Sequence, residues 1–333
     1  MPDSVLSRVN ALENPNYLAT SGSVGAEEFI SVGSFLDGLQ TDPTPPSPMN
    51  TSIKTALRLG AGLFIASLAL TASGQALRTI TGFTDLTFAR NDDSSLSGVS
   101  IGFTPNFFGT SYSTLYLNNN GNVTFNSSLG TYTPFSLIGA TGNPIIAPFF
   151  GDVDTRGPGN PTMYGTGTLG GHNAFAVNWI NVGVYSEQDI FNTFQLVLID
   201  RSDIGVGAFD FEFNYTDINW EAGTASGAPA GGLGGVSAHA GYNSGTGSFF
   251  EIPGSGVNGA FVDTNLVSGL IYNQLGTPFD GANLPGRYDF SVRNGEVEPL
   301  TPVPEPSTYG ILGSMLLCGV VAFRRWRRSS LAA

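Results

Sequence analysis

Phe209-Asp210-Phe211-Glu212-Phe213-Asn214-Tyr215-Thr216 sets four aromatic residues in strict alternation with four polar ones. A period of two belongs to a β-strand with one face toward a core and the other toward water. Each buried ring stabilises such a face by about 1.5–3 kcal/mol. The same period recurs outward from this stretch. Leu115-Tyr116-Leu117 and Val123-Thr124-Phe125 flank Asn118-Asn119-Asn120-Gly121-Asn122, and because Asn and Gly tolerate positive φ the segment predicts a hairpin. Residues 194–199 are apolar on both faces, which predicts a central strand. Phe175-Ala176-Val177-Asn178-Trp179 predicts another, and the phase jump at Ile180, Val182 and Val184 predicts a bulge or a doubly covered strand. Gly-rich stretches at 156–161, 165–171, 223–235 and 241–247 read as loops, with 223–235, nearly all Gly, Ala, Ser and Pro, expected to be mobile. No stretch of 77–300 carries a long helical period, and no repeat of fixed length is present. The expectation is one all-β domain over 77–300, built mainly of antiparallel sheets and sandwich-like rather than a barrel.

Composition supports this reading and excludes others. The 333 residues hold 13 Lys+Arg against 26 Asp+Glu, a net charge of -13. A nucleic-acid binder needs a basic surface that displaces phosphate counterions, so no nucleic-acid partner is expected. Residues 77–303 contain 19 acidic side chains and six basic ones, all six Arg. Hydrophobic residues reach 41%, too many for a wholly disordered chain. Cys318 is the single cysteine, so neither an intramolecular disulfide nor a multi-cysteine zinc site can form. Low charge, high Gly and abundant Phe, Tyr, Thr and Asn point to an extracellular β-rich protein.

Two segments read as addresses. Met49 is followed by Lys54, Arg58, an apolar run over 59–72, and then Ser73-Gly74-Gln75-Ala76. A charged start, a short apolar stretch and a small-x-small exit describe a secretory signal peptide, a helix over 49–76 cut by signal peptidase. Cleavage is expected between Ala76 and Leu77, with the bond after Gly74 as second choice. Residues 1–48, rich in Pro and acidic side chains, form an upstream extension outside the folded domain, and Met49 is the expected true start. At the other end, Pro304, Glu305 and Pro306 precede an apolar run over 309–323, and Arg324, Arg325, Arg327 and Arg328 follow. A helix over 309–323 covers about 22 Å, and flanking Arg and Trp side chains extend its reach toward a membrane core of about 30 Å.

This three-part tail over 301–333 resembles a PEP-CTERM sorting signal of bacteria. The resemblance implies recognition by a membrane exosortase, cleavage near Pro-Glu-Pro, transient inner-membrane anchoring, and release or attachment at the cell surface or in extracellular polysaccharide. The body carries a second resemblance. Ala147-Pro148-Phe149-Phe150-Gly151-Asp152-Val153-Asp154, Asn192-Thr193-Phe194-Gln195, Phe213-Asn214-Tyr215, Ile218-Asn219-Trp220 and Ala240-Gly241-Tyr242-Asn243, in that order, are similar to the NIDO domain of nidogen, tectorin and mucin-type proteins. What this implies is an extracellular adhesion or matrix module without known catalysis. The chain lacks the Cys-rich neighbours of the animal proteins, so partners known there do not carry over.

Signals for chemistry are weak. His172 and His239, the only histidines, lie among Gly and Ala in predicted loops. Gly98-Val99-Ser100-Ile101-Gly102 fits the G-x-S-x-G spacing of a nucleophile elbow, but that elbow needs a strand-to-helix turn, and 99–103 alternates like a continuing strand. Asp152-Val153-Asp154-Thr155-Arg156-Gly157 begins like a calcium loop, yet Arg156 and Met163 stand where an EF-hand needs oxygen ligands. The reading taken is that Asp152 and Asp154 hydrogen-bond and shape a turn; a looser calcium site with loop carbonyls is the alternative, and no other cofactor is expected. Asp210, Glu212, Asp217 and Glu221 are close enough in sequence for a glycosidase carboxylate pair, though Asp210 and Glu212 are expected on a solvated strand face. Trp179, Trp220 and Tyr242 could stack on sugars, with core packing the favoured role. Together these point to a secreted, surface-sorted bacterial protein that binds matrix protein or polysaccharide rather than turning it over. The alternatives are a carbohydrate-active hydrolase and a self-assembling coat protein.

Overall fold

The computed structural model describes residues 75–300 apart from Glu187. The signal segment up to Gly74, the 1–48 extension and the whole 301–333 tail, including the expected 309–323 helix, lie outside the described residues.

Strand follows strand. In chain order they are β1 (Leu86–Thr87), β2 (Ser95–Ser100), β3 (Asn106–Phe107), β4 (Thr110–Ser111), β5 (Thr114–Asn118) and β6 (Asn122–Thr124). Next come β7 (Ile145–Phe150), β8 (Val153–Asp154), β9 (Met163–Leu169), β10 (His172–Val184) and β11 (Gln188–Asp200). The last are β12 (Phe209–Asp217), β13 (His239–Asn243), β14 (Phe249–Glu251), β15 (Arg287–Arg293) and β16 (Glu296–Val297). Single 3-10 turns at Thr224–Ser226 and Leu270–Tyr272 are the only helical elements among the described residues. No helix among them is long and apolar enough to cross a membrane.

Two antiparallel sheets carry the fold. The larger runs β1-β9-β10-β11-β12-β15-β16, with β8 also pairing β10; the smaller runs β14-β13-β7-β6-β5-β2. Phe209, Phe211, Phe213 and Tyr215 are all buried on the inner face of β12, as their alternation predicts. There they meet rings from the other sheet: Phe211 lies edge-on to Tyr242, 5.8 Å between centroids, and Phe149 lies 5.2 Å from Phe194. β11 is central, between β10 and β12, which is why both its faces are apolar. The predicted bulge in β10 appears as a register shift between Trp179 and Val182. The predicted hairpin pairs β5 with β6, Asn118 opposite Asn122.

Two expectations are corrected. Asp210 and Glu212 do not sit on a solvated face: both are buried. The segment ahead of β1 crosses the outer face of the large sheet, where Ile80 and Phe83 pack with Val197 and Ile199, and Phe279 joins them from a later loop. Beneath this cover Arg78 binds Glu212, while Asn178 and Gln195 donate to the Phe83 and Arg78 carbonyls of the crossing segment. The 165–171 stretch is not a loop; its first residues belong to β9. Gly165 reads as punctuation in sequence, but it is there because a Cβ would collide with the backbone of Gly82 in the crossing segment. The 223–235 stretch is a loop around the Thr224–Ser226 turn, with backbone bonds from Ala228 to Gly223, Val236 to Ser226 and Ala222 to Gly232.

Candidate functional site

The buried turn of the β5–β6 hairpin organises one end of the sandwich. Asn118, Asn119, Asn120 and Asn122 are all essentially inaccessible to solvent. A side-chain amide is both donor and acceptor, so buried asparagines serve as connectors between chain segments. The Asn119 side chain donates to the Val153 carbonyl, and the Asn119 backbone carbonyl accepts the Trp179 indole N–H at 3.0 Å. Asn120 accepts the Val153 N–H at 3.0 Å and donates to Asp93 Oδ1 at 2.7 Å. The segment around Asp92 is tied to β8 as well. Asn91 and Thr155 exchange backbone and side-chain hydrogen bonds, and Asp92 faces Asp154 in an isolated bridge.

Three carboxylates meet at this junction. Asp92, Asp93 and Asp152 each offer an oxygen, and these oxygens lie within 4.8 Å of one another. Asp152 is fully buried, and neither of its carboxylate oxygens has a hydrogen-bond partner. Burial, reinforced by the charges of Asp93, Asp92 and Asp154, pushes its carboxyl up to about 7, against a smaller opposite effect of Arg156. Asp154 is occupied differently. It accepts the Arg156 backbone N–H at 3.0 Å and its guanidinium at 2.9 and 2.7 Å. Arg156 also reaches Asp92 at 2.9 Å. Arg90 holds the loop beyond β8, donating to the carbonyls of Thr155, Gly157 and Gly159. Of the expected pair, Asp154 therefore shapes the turn and Asp152 does not. Asp92 and Asp93 were missed because they are some 60 positions from Asp152; a short Asn-Asp-Asp-Ser stretch gives no sign of what folds against it.

The other candidate residues are placed elsewhere. Trp179 and Trp220 are fully buried, so the sugar-stacking reading is corrected to core packing. Trp179 stacks on Phe194 at 5.1 Å, and Trp220 meets Phe149 edge-on at 5.4 Å. Tyr242 is buried against Phe211, Phe250 and Phe290. The histidines stand at strand starts rather than in loops. His172 opens β10, and His239 opens β13 with Nδ1 2.8 Å from Glu251. Ser100 ends β2 as part of a strand, with no helix following it.

The four acids are not brought together as a facing pair. Asp210 binds Arg201 and Arg293, each at 2.7 Å, and Glu212 is gripped by Arg78 at 2.6 and 2.8 Å. Glu221 accepts the backbone N–H groups of Gly259 and Phe261. Asp217 is exposed at the end of β12. Ala76 is buried, and its carbonyl accepts Arg287 at 2.8 Å; Leu77 beside it is half-buried. Pro304, Glu305, Pro306 and the terminal arginines lie outside the described residues. A surface groove of about 400 Å³ opens where the sheet edges approach, lined by Leu86, Leu96, Val99, Tyr164 and Phe175.

A family model described as NIDO related matches residues 67–268, more than half of the chain. The chain belongs to the NIDO-related family. Among relatives of this NIDO-related protein, chicken alpha-tectorin is 34% identical over 232 residues, covering 62% of the chain and 10% of the tectorin. Human alpha-tectorin is 36% identical over 233 residues, again 62% of the chain and 10% of the relative. Drosophila melanogaster nidogen is 30% identical over 182 residues, 46% of the chain and 13% of the nidogen. The NIDO-related chain thus spans about a tenth of the length of these relatives. No solved structure matches it.

Proposed function

We propose that this NIDO-related protein is a secreted, surface-sorted bacterial adhesion module that binds matrix protein or polysaccharide without turning it over. The observation that carries the reading is the family match over 67–268, in a family whose tectorin and nidogen members are extracellular-matrix proteins. Export by the signal segment that begins at Met49 and exosortase sorting by Pro304-Glu305-Pro306, the apolar run and the Arg cluster complete the proposal. The engagement of Asp210, Glu212 and Glu221 by arginines and backbone amides supports binding over hydrolysis. An open groove lined by Leu86, Leu96 and Tyr164 is a better place to seek a ligand contact than the buried tryptophans.

Calorimetry of the processed protein against the host's own extracellular polysaccharide tests this, with a reducing-sugar assay on the same samples. The expected result is saturable heat and no new reducing ends. New reducing ends would make the protein a hydrolase, and self-assembly with no saturable ligand would make it a coat protein. Mass spectrometry of the native surface form tests the sorting. Its C-terminus is expected near Pro304–Pro306, and retention of Arg324 to Arg328 would overturn exosortase processing. Burial of Ala76 in the domain favours an N-terminus at Gln75, after Gly74, over one at Leu77.

A further inference from the structure

We infer that Asp92, Asp93 and Asp152 form a calcium site that staples the Asn91–Ser94 turn to the β7–β8 junction. The three carboxylates come from two segments and place one oxygen each within 4.8 Å. That is the spacing of ligands around one ion, since oxygens each 2.3–2.6 Å from a calcium stand at most about 5 Å apart.

The second observation is independent of the clustering. Asp152 is fully buried, and both its oxygens lack hydrogen-bond partners. Buried polar groups are paired almost without exception, and a buried carboxylate unpaired beside two others is unfavourable on both counts. A Cβ at Gly223 would collide with the same carboxylate, so position 223 offers it no side chain. A divalent cation removes both penalties: it ligates the unpartnered oxygens and cancels the mutual repulsion. The neighbouring cation, Arg156, cannot do this alone, because its guanidinium is spread over Asp92 and Asp154.

The ligand chemistry selects the ion. All three donors are carboxylates, with no His or Cys among them, which favours a hard cation over zinc or copper. The ligands sit on an irregular turn and a strand end and are held by Asn120 rather than by a symmetric frame. Calcium accepts six to eight oxygens in flexible geometry and can take carbonyls and water for the remainder, whereas magnesium requires a near-ideal octahedron. Asp154, which sequence alone pairs with Asp152, is excluded as a ligand by its three bonds to Arg156.

Titration of the full chain with calcium chloride, followed by calorimetry and by thermal melting, tests the site. One ion per chain is expected, with a dissociation constant of about 10⁻⁴–10⁻³ M, as in extracellular modules. Melting should rise by roughly 3–6 °C at calcium tenfold above that constant. Asp93→Asn and Asp152→Asn should each weaken binding at least tenfold, while Asp85→Asn, an exposed acid elsewhere, should change nothing. Absence of one-to-one binding by the unaltered protein at about ten times the upper value overturns the site. So does binding that survives Asp93→Asn, or equal weakening by Asp85→Asn. Asp93 is only half-buried, and with the unaltered chain it keeps the test decisive even where Asp152→Asn fails to fold.

Discussion

Glu221, fully buried, and Asp263, half-buried, show what a single acid contributes in this molecule. Both fasten the connection that follows β14 to the chain leaving β12: Glu221 accepts N–H groups from Gly259 and Phe261, and Asp263 accepts that of Ile218 at 3.0 Å. Burial raises both carboxyls, Asp263 to about 6 with the charge of Asp217 adding to the effect. A carboxyl whose folded value exceeds its unfolded value binds extra protons in the folded state between the two. Its contribution to stability is therefore full below the unfolded value near 3.8 and is lost as pH rises toward about 6. Melting temperatures followed from pH 4 to pH 6 should show this decline, and Asp263→Asn should flatten part of it. An unchanged slope in that variant would mean that Asp263 titrates normally in the fold. Glu221→Gln is expected to destabilise by about 1–3 kcal/mol in denaturant unfolding, because the two N–H groups bond different carboxylate oxygens and the amide would set an NH2 against one of them.

At the scale of elements, strands declare themselves and their coverings do not. The alternation in β12 and the Asn-Gly turn between β5 and β6 are local, so the aromatic face, the hairpin and the β10 bulge were all legible in sequence. The outer face of β12 was not, because its partner Arg78 lies 134 positions away from Glu212. A strand with polar residues on one face looks identical whether water or a crossing segment lies over it. The same limit hid the candidate site, whose Asp92 and Asp93 meet Asp152 only through the β5–β6 turn and β8. The crossing segment makes a definite prediction. Arg78 bonds Glu212 with two nitrogens and Asp280 with a third at 2.6 Å, and it is largely buried. Breaking a buried pair leaves the other charge uncompensated, so Arg78→Ala should cost about 3–5 kcal/mol in urea unfolding. Lys in its place should recover little, since an ammonium cannot reproduce the bidentate fork. A loss under about 1 kcal/mol would show that the segment covers the sheet without holding it.

For the whole molecule the decisive feature is where the positive charge goes. Residues 77–303 carry six arginines against 19 acids, and each arginine is spent internally. Arg78, Arg156, Arg201 and Arg293 pair with carboxylates, Arg90 binds carbonyls of the 155–159 loop, and Arg287 binds the Asn214 side chain and the Ala76 carbonyl. Among the described residues no cluster of basic side chains is left to meet a polyanion, and acids such as Asp85, Asp217 and Glu298 are exposed. On the proposed binding role, the expected matrix ligand of this domain is neutral or cationic, or is bridged by a divalent ion. Retention on immobilised acidic polysaccharide separates these cases. Without calcium, retention should be weakest at low salt and should strengthen as ionic strength rises, because the Debye length shrinks from about 8 Å at 0.15 M to about 3 Å at 1 M and repulsion is screened. Millimolar calcium should strengthen it further at constant ionic strength. Retention that is instead strongest at low salt and elutes as salt rises would reveal a basic contact surface, and the proposed mode of matrix binding would have to be abandoned.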